Sequence, residues 1–375
     1  MSNSAEDNCR MAPAKKGRLL IVCLDAIGDY ILLRTVLREL RFSARFARQQ
    51  VTLLGNRLWR DLFETYDPDL ADDCIWINPA DYRKRTSDNL LPLLWRYRPA
   101  LRRQRHKLRT RLLAGNFDSV LLPGSPRDPQ IDQLLAGIAP AMLGVAAPAP
   151  LSSDRLFADL APAAQVKFVF ERNAAALKHF CGCKLEVPAP FVPLQDWHQS
   201  KSAVIFPGAA HWTRRWPLHR FAACARHLID RHKLEVVIVS GASDLARVGR
   251  LCRLIDRPGC VRNPAGSGSL ADLASTIATC RIVVSNDTCA THFAAVQHVP
   301  AICITNGISG RDNFWPYPAA LGLPVTPLVK TPAGLRTGNL VTTQIRSRRN
   351  LCAIGVTDVT YAIDKQLAAG EADHG

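Results

Sequence analysis

The stretch RLLIVCLDAIGDYILLRTVLREL, residues 18–40, decides the fold. Its first part, Arg18–Leu24, is a run of branched apolar side chains, the composition of a strand covered on both faces. Its second part, Ile27–Arg41, repeats apolar residues at helical spacing and predicts a helix. Between them, Asp25, Gly28 and Asp29 make a polar turn. A strand that passes into a helix through such a turn opens a parallel βαβ unit. The alternation continues outward. Val51–Leu54, Cys74–Ile77 and Ser119–Leu122 are predicted strands. A second series begins near residue 202, with strands expected at Ala203–Phe206, Glu235–Ser240, Ile282–Ser285 and Ala301–Thr305. Helices are expected between and beyond them at Leu218–Arg231, Ser243–Ile255, Leu270–Thr279 and Thr288–Val296. Val187–Ser200 holds Pro188, Pro190 and Pro193, which suits an interdomain linker. The reading is α/β, with two doubly wound Rossmann-like domains facing a cleft. Their expected bounds are 17–187 and 201–350, with a linker at 188–200. A closing helix in 351–370, centred on Thr357–Ala368, is expected to pack back across the domains. Ligands of open α/β sheets bind beyond the strand C-terminal ends, so the cleft is where chemistry is expected.

Composition narrows the partner. A chain of 375 residues with 47% hydrophobic and 21% charged residues is globular and long enough for two cores. No apolar run reaches 18 residues; the nearest, Ala136–Leu151, is broken by Pro140, Pro148 and Pro150, so no membrane span is expected. The polar N-terminus does not read as a signal peptide. The 12 cysteines are scattered singly, which points to reduced, buried thiols in a cytosolic protein. His179, Cys181 and Cys183 lie close together, but no second pair completes a metal site. The net charge of +16 favours an anionic partner: a nucleic acid, an acidic membrane surface or a phosphorylated small molecule. No nucleic-acid motif accompanies the charge.

Four segments carry candidate chemistry. At the first turn, Gly28 and Asp29 offer backbone N–H groups and a carboxylate to the cleft, although Asp29 equally suits a helix cap. The turn lacks the G-x-G-x-x-G of dinucleotide binding. The second segment, from Phe206 to Pro217, ends a strand in Pro207-Gly208 and carries Arg214 and Arg215 ahead of a helix. Arginine forks beside a helix N-terminus suit a phosphate or diphosphate, and a solvated loop is the plainer alternative. In the third, Val284–His292, Asp287 or Thr288 can cap a helix whose free N–H groups meet an anion. His292 lies about one turn further on and either faces that ligand or packs as a buried histidine. The fourth is the basic stretch Arg83–Arg111. There Arg98, Arg102, Arg105 and Arg109 recur at helical spacing, a face for an anionic acceptor or lipid surface, or merely for water.

Together these segments resemble glycosyltransferase family 9, the ADP-heptose:lipopolysaccharide heptosyltransferases and their relatives. Residues 18–40 look like the family's opening strand, Gly-Asp turn and first helix. AVIFPGAAHWTRRWPLHRFAACARHL (203–228) looks like its Arg-Arg-Trp-Pro segment, and LADLASTIATCRIVVSNDTCATHFAAVQHVPAICI (270–304) like its Asn-Asp-Thr segment. The resemblance implies a GT-B fold, with acceptor on the N-terminal domain and sugar nucleotide on the C-terminal one. It implies an inverting transferase that needs no metal or other cofactor, moving a heptose from ADP-heptose to an acidic lipopolysaccharide-core acceptor. Asp29 matches the motif aspartate that acts as general base, and Arg215, helped by Arg214, the residue that neutralises the leaving diphosphate. Gly28, Gly208, Asp287, Thr288, Cys289 and His292 match the nucleotide and phosphate site, and Gly241 and Asp244 follow a strand where relatives bind the nucleoside. Arg98, Arg102 and Arg105 would meet the acceptor, and the protein would work in the cytoplasm, peripheral on the inner membrane, without nucleic acid. Two departures stand out: Cys289 replaces a glycine, and Asn306-Gly307 replaces Phe-Gly. They leave open another nucleotide sugar, a protein or capsule acceptor, or a weakly active homologue that binds glycolipid.

Overall fold

A computed structural model describes residues 17–82, 99–124, 127–147, 150–162, 168–241, 244–262, 268–306, 317, 319–331, 334–337 and 348–372. In the N-terminal half, β1 (Arg18–Cys23) leads into α1 (Ile27–Phe42) and β2 (Gln50–Asn56). Then follow α2 (Arg60–Tyr66), β3 (Asp73–Ile77), α3 (Pro99–Ala114), β4 (Ser119–Leu122), α4 (Pro129–Leu135), β5 (Ala141–Val145), β6 (Asp159–Ala161) and α5 (Val169–Cys181). The six strands pair in the order β3-β2-β1-β4-β5-β6, every pair parallel. β1 is central, and Leu19 and Leu20 are fully buried on its two faces, which is why the run reads as continuously apolar.

The C-terminal half repeats the plan. β7 (Ser202–Phe206), α6 (Leu218–His232), β8 (Glu235–Ile238), α7 (Leu245–Ile255) and β9 (Val261–Arg262) come first. They are followed by α8 (Leu270–Ala278), β10 (Ile282–Asn286), α9 (Cys289–Val296), β11 (Ala301–Ile304), β12 (Val325–Thr331), β13 (Gly334–Thr337), α10 (Arg348–Ala353) and α11 (Val356–Ala372). The strand order is β13-β12-β11-β10-β7-β8-β9, parallel except for the antiparallel edge pair β12–β13.

One apolar cluster runs from α1 through Phe170 and Phe191 to Phe293 and Ala295 of α9, so the two halves share a buried seam. Polar bonds cross it. The Tyr66 hydroxyl donates to the Ala271 carbonyl at 3.1 Å, and Asp61 Oδ2 accepts from Leu270 N at 2.5 Å, supplementing the Ser269 cap at the start of α8.

The closing segment differs from expectation. It is two helices, α10 and α11, separated at Ile354-Gly355. Val359, Ile363 and Leu367 of α11 bury into the cluster formed with Phe221, Leu228 and Ile304, so the helix seats on its own domain. That apolar face finds α6 and β11 as partners, and the C-terminal domain therefore extends through residue 372. Ser243 lies outside the described residues, and α7 begins at Leu245. No described helix is long and apolar enough to cross a membrane.

Candidate active site

The three motif loops all lie at strand C-terminal ends. Ala26, extended and N-terminal to α1, gives its N–H to Asp29 Oδ2 at 3.2 Å. Asp29 thus holds the first turn of α1 through its side chain, and its residue is otherwise exposed. Gly28 meets the opposite domain. A Cβ there would fall 2.8 Å from Cδ2 and 3.0 Å from Nε2 of His292, so only glycine lets the α1 turn approach the α9 histidine this closely. The His292 ring also tilts against Tyr317 at 6.1 Å between centroids. Burial lowers the His292 pKa to about 4, so the ring is neutral at physiological pH and brings no positive charge to an anion.

The arginine loop is braced from beneath by Asn286, fully buried at the end of β10. Its Nδ2 donates to the Pro207 and Gly208 carbonyls at 2.8 and 3.1 Å, and its Oδ1 accepts from Trp216 N at 3.0 Å. Trp216 is itself buried and donates Nε1–H to the Ile354 carbonyl at 3.0 Å. Within this frame Arg215 donates Nε–H to the Ala209 carbonyl at 2.9 Å and lies 3.3 Å from Asp244 Oδ1. Gly208 packs on the same carboxylate, where a Cβ would come within 2.9 Å of Asp244 Oδ2. Asp244 is therefore committed at one oxygen to orienting Arg215. Gly241, open on its Cβ side, accepts from Asp244 N through its carbonyl.

In the third loop Thr288, not Asp287, caps α9: its hydroxyl accepts from Ala290 N at 3.4 Å, while Asp287 N is spent on the Ile304 carbonyl. Within the first turn of α9, Ala290 N is held by the Thr288 hydroxyl and Thr291 N by the Thr288 carbonyl. Asp287 Oδ2 is shielded from water with no hydrogen-bond partner among the described residues. Burial raises the Asp287 pKa to about 6, against the opposing pull of Arg214. Burial also holds the Cys289 thiol up at about 12, so it is a neutral side chain at the helix start. Asn306 Nδ2 reaches the Thr213 carbonyl at 3.3 Å, tying β11 to the arginine loop, while Gly307 lies outside the described residues.

The structure therefore brings Gly28, Asp29 and His292 to one place, and Gly208, Arg214, Arg215, Asp244 and Asp287 to an adjoining one. It does not gather the basic helix as expected. Arg98 lies outside the described residues. Arg105 reaches the Tyr82 carbonyl at 3.4 Å and Arg109 the Leu134 carbonyl at 2.8 Å, both on the side of α3 that buries Leu108 and Leu112. The exposed bases of α3 are Arg102, Arg103, Lys107 and Arg111. Arg105 shares its spacing with Arg102 but points its charge at main chain, which corrects the single basic face. His179, considered with Cys181 and Cys183, pairs instead with Asp159 at 2.7 Å.

Sequence reasoning missed Asn286 and gave Asp25 no role beyond the turn. Asn286 read only as part of an Asn-Asp-Thr string, yet its place at the end of an apolar strand was the signal for a buried bracket. Asp25 stands beside Arg127 and Asp128 around a small cavity of about 30 Å³ at the ends of β1 and β4.

The model of glycosyltransferase family 9 (heptosyltransferase) matches residues 164–307. No curated protein matches the chain. Among solved structures it is similar to the Escherichia coli heptosyltransferase WaaC with ADP-2-deoxy-2-fluoro heptose (16% identity, 93% of this chain and 99% of that one, TM-score 0.68). A family 9 glycosyl transferase from Veillonella parvula aligns with 17% identity over 96% of this chain and 99% of its own, TM-score 0.69. The E. coli ADP-heptose lipopolysaccharide heptosyltransferase II aligns with 19% identity over 94% and 99%, TM-score 0.63. The chain thus has the GT-B fold of these structures along its length, and its residues 164–307 match the glycosyltransferase family 9 (heptosyltransferase) model, in line with the resemblance read from the sequence.

Proposed function

We propose that this heptosyltransferase-like protein transfers a heptose, with inversion, from ADP-heptose to a hydroxyl of an anionic, lipopolysaccharide-core-type acceptor. The observation that carries the reading is one constellation. An arginine loop braced by Asn286 at the end of β10, the start of α9, and the Gly28–Asp29 turn of the other half come together at the Gly28–His292 contact. WaaC, of the same fold, has been solved with an ADP-sugar and with ADP, which supports a nucleotide sugar as donor.

On this reading the diphosphate lies between Arg214, Arg215 and the first turn of α9. Two guanidinium groups and backbone N–H groups there offset the charge that builds on the leaving oxygen. Asp244 keeps Arg215 aimed by pairing with one of its ends. The acceptor oxygen attacks the anomeric carbon from the N-terminal side, the bond from that carbon to the β-phosphate oxygen breaks, and ADP departs. Asp29 takes the acceptor proton as general base. No metal or other cofactor enters the scheme. Neutral His292 shapes the floor between the two halves. The exposed Arg102, Arg103, Lys107 and Arg111 meet an anionic acceptor or the acidic inner-membrane surface from the cytoplasmic side.

The test is calorimetric titration with ADP, UDP, GDP and CMP, repeated on Arg215→Ala and Asp287→Ala. Selective ADP binding that both substitutions weaken supports the donor site. If no nucleotide binds, the transferase reading falls.

A further inference from the structure

On the face of the C-terminal domain away from the cleft, α6 and α11 lie side by side. Near its end α6 carries His227 and His232, and α11 carries Asp364. Both imidazoles aim Nε2 at the same carboxylate oxygen: His227 Nε2 is 2.7 Å and His232 Nε2 2.6 Å from Asp364 Oδ1. The ring centroids are 5.4 Å apart, and one donor atom from each of the three residues lies within 4.8 Å of the others. Two imidazole nitrogens and a carboxylate oxygen thus converge on one point from two helices, the arrangement of a three-ligand set. Arg231 approaches the other oxygen, Oδ2, at 3.6 Å and leaves Oδ1 to the histidines.

We propose that His227, His232 and Asp364 form a zinc-binding site that clips the C-terminal helix to α6. Two imidazole nitrogens and a carboxylate oxygen are a donor set zinc accepts readily. Metal–donor distances near 2.1 Å place tetrahedral ligands about 3.4 Å apart. Asp364 therefore has to draw back by roughly 0.7 Å from its hydrogen-bonded position, a small rotation for a surface side chain. The side chains are 21%, 20% and 30% exposed, so water has access to complete the shell. Each ring proton moves from Nε2 to Nδ1 as the metal binds.

The site is structural, yet it is connected to the cleft. The segment it clips begins at the carbonyl of Ile354, which accepts from Trp216 Nε1 and from Arg220 at 2.6 Å, just behind the arginine loop. Fixing α11 on α6 steadies that brace. The inference does not depend on the donor or acceptor proposed above.

The test uses the full chain stripped of metal with a chelator and then titrated with cobalt(II) as an absorbing surrogate. One equivalent should bind with ligand-field bands of a nitrogen–oxygen site and without sulfur-to-cobalt charge transfer. One equivalent of zinc should displace it and raise the thermal midpoint. His227→Ala and His232→Ala should each abolish binding, and Asp364→Asn should weaken it at least tenfold. His232→Gln keeps a hydrogen bond to Asp364 without offering an imidazole, and serves if the alanine variants unfold. Absence of a saturable equivalent, a thiolate charge-transfer band, or binding that survives loss of either histidine overturns the site.

Discussion

Replacing Gly28 by alanine tests whether the two halves meet where the sequence motifs do. The added carbon would sit 2.8 Å from His292 Cδ2. Carbon atoms rest about 3.5–4.0 Å apart, so the contact is short by roughly 0.7–1.2 Å. The ring also packs on fully buried Tyr317, tilted against it at 6.1 Å between centroids. Either the ring leaves its position or the α1 turn moves away from α9, and overpacking of this kind costs about 1–3 kcal/mol. In a His292→Ala background the obstruction is gone. Alanine in a helix is then favoured over glycine by about 0.5–1 kcal/mol, so the same substitution should be neutral or mildly stabilising. Urea unfolding of the four proteins in the cycle reads the coupling, expected at about 1–3 kcal/mol. On the proposed function, Gly28→Ala should also slow transfer severalfold and weaken ADP binding less than Arg215→Ala does, since the arginine loop is braced separately by Asn286. Effects of Gly28→Ala and His292→Ala that add to within about 0.5 kcal/mol would refute the contact.

Three further outcomes follow from the same geometry. Asn286→Ala strips partners from two carbonyls and one buried N–H, at about 1–3 kcal/mol for a buried group left unpaired; it should lower the unfolding midpoint and weaken nucleotide binding together. Asp287 and His292 should tilt the pH dependence of stability in opposite directions. The folded protein holds the Asp287 proton up to about pH 6, so this group's contribution falls as pH rises from near 4 to 6; His292 resists its proton down to about 4, so its contribution is full above 6.5 and falls as pH drops towards 4. Denaturant midpoints across pH 4–7 for Asp287→Asn and His292→Gln should each remove one slope. Finally, Cys289, with its thiol held up at about 12, should resist iodoacetamide at pH 8 in the folded protein and react in urea, as read by peptide mass spectrometry.

How far the sequence carried depended on what each segment had to satisfy. Strands covered on both faces, such as Arg18–Cys23 and Ile282–Asn286, are legible because burial forces a continuous apolar run. β5 and β6 are not: Ala141–Val145 includes a glycine, and Asp159–Ala161 is three residues at the sheet edge. The loops were legible as phosphate chemistry from their arginines and helix starts. Their bracing was not, because Asn286, Asn306 and Asp244 act through contacts 29 to 93 residues away in sequence. Arg105 and Arg109 show the limit of periodicity. Helical spacing groups them with Arg102, but Leu108 and Leu112 fix which side of α3 is inside, and the long arginine stems extend from that side to main-chain carbonyls.

The proline-rich linker reads as a spacer, yet it is gripped from both sides. Arg34, midway along α1, donates to the Ala189 and Pro190 carbonyls at 2.9 and 2.8 Å and lies over the Phe191 ring at 4.2 Å. Its charge is answered by buried Asp67 at 2.6 Å, which also accepts from the Tyr30 hydroxyl. From the other half, Gln297 at the end of α9 bonds the N–H groups of Phe191 and Val192 and the Val192 carbonyl. The helix that begins with Gly28 and Asp29 and the helix that begins with Cys289 are thus tied to one stretch, Ala189–Val192, and share Phe191. At 1.5 Å rise per residue, the two grips lie roughly 10–12 Å from the helix starts. A rotation of about 10° between the grips would move the starts by about 2 Å relative to each other. That is enough to make or break the Gly28–His292 contact. The linker clamp and the glycine contact are therefore opposite ends of one lever, so a substitution that loosens the clamp, such as Arg34→Ala, should weaken the Gly28–His292 coupling.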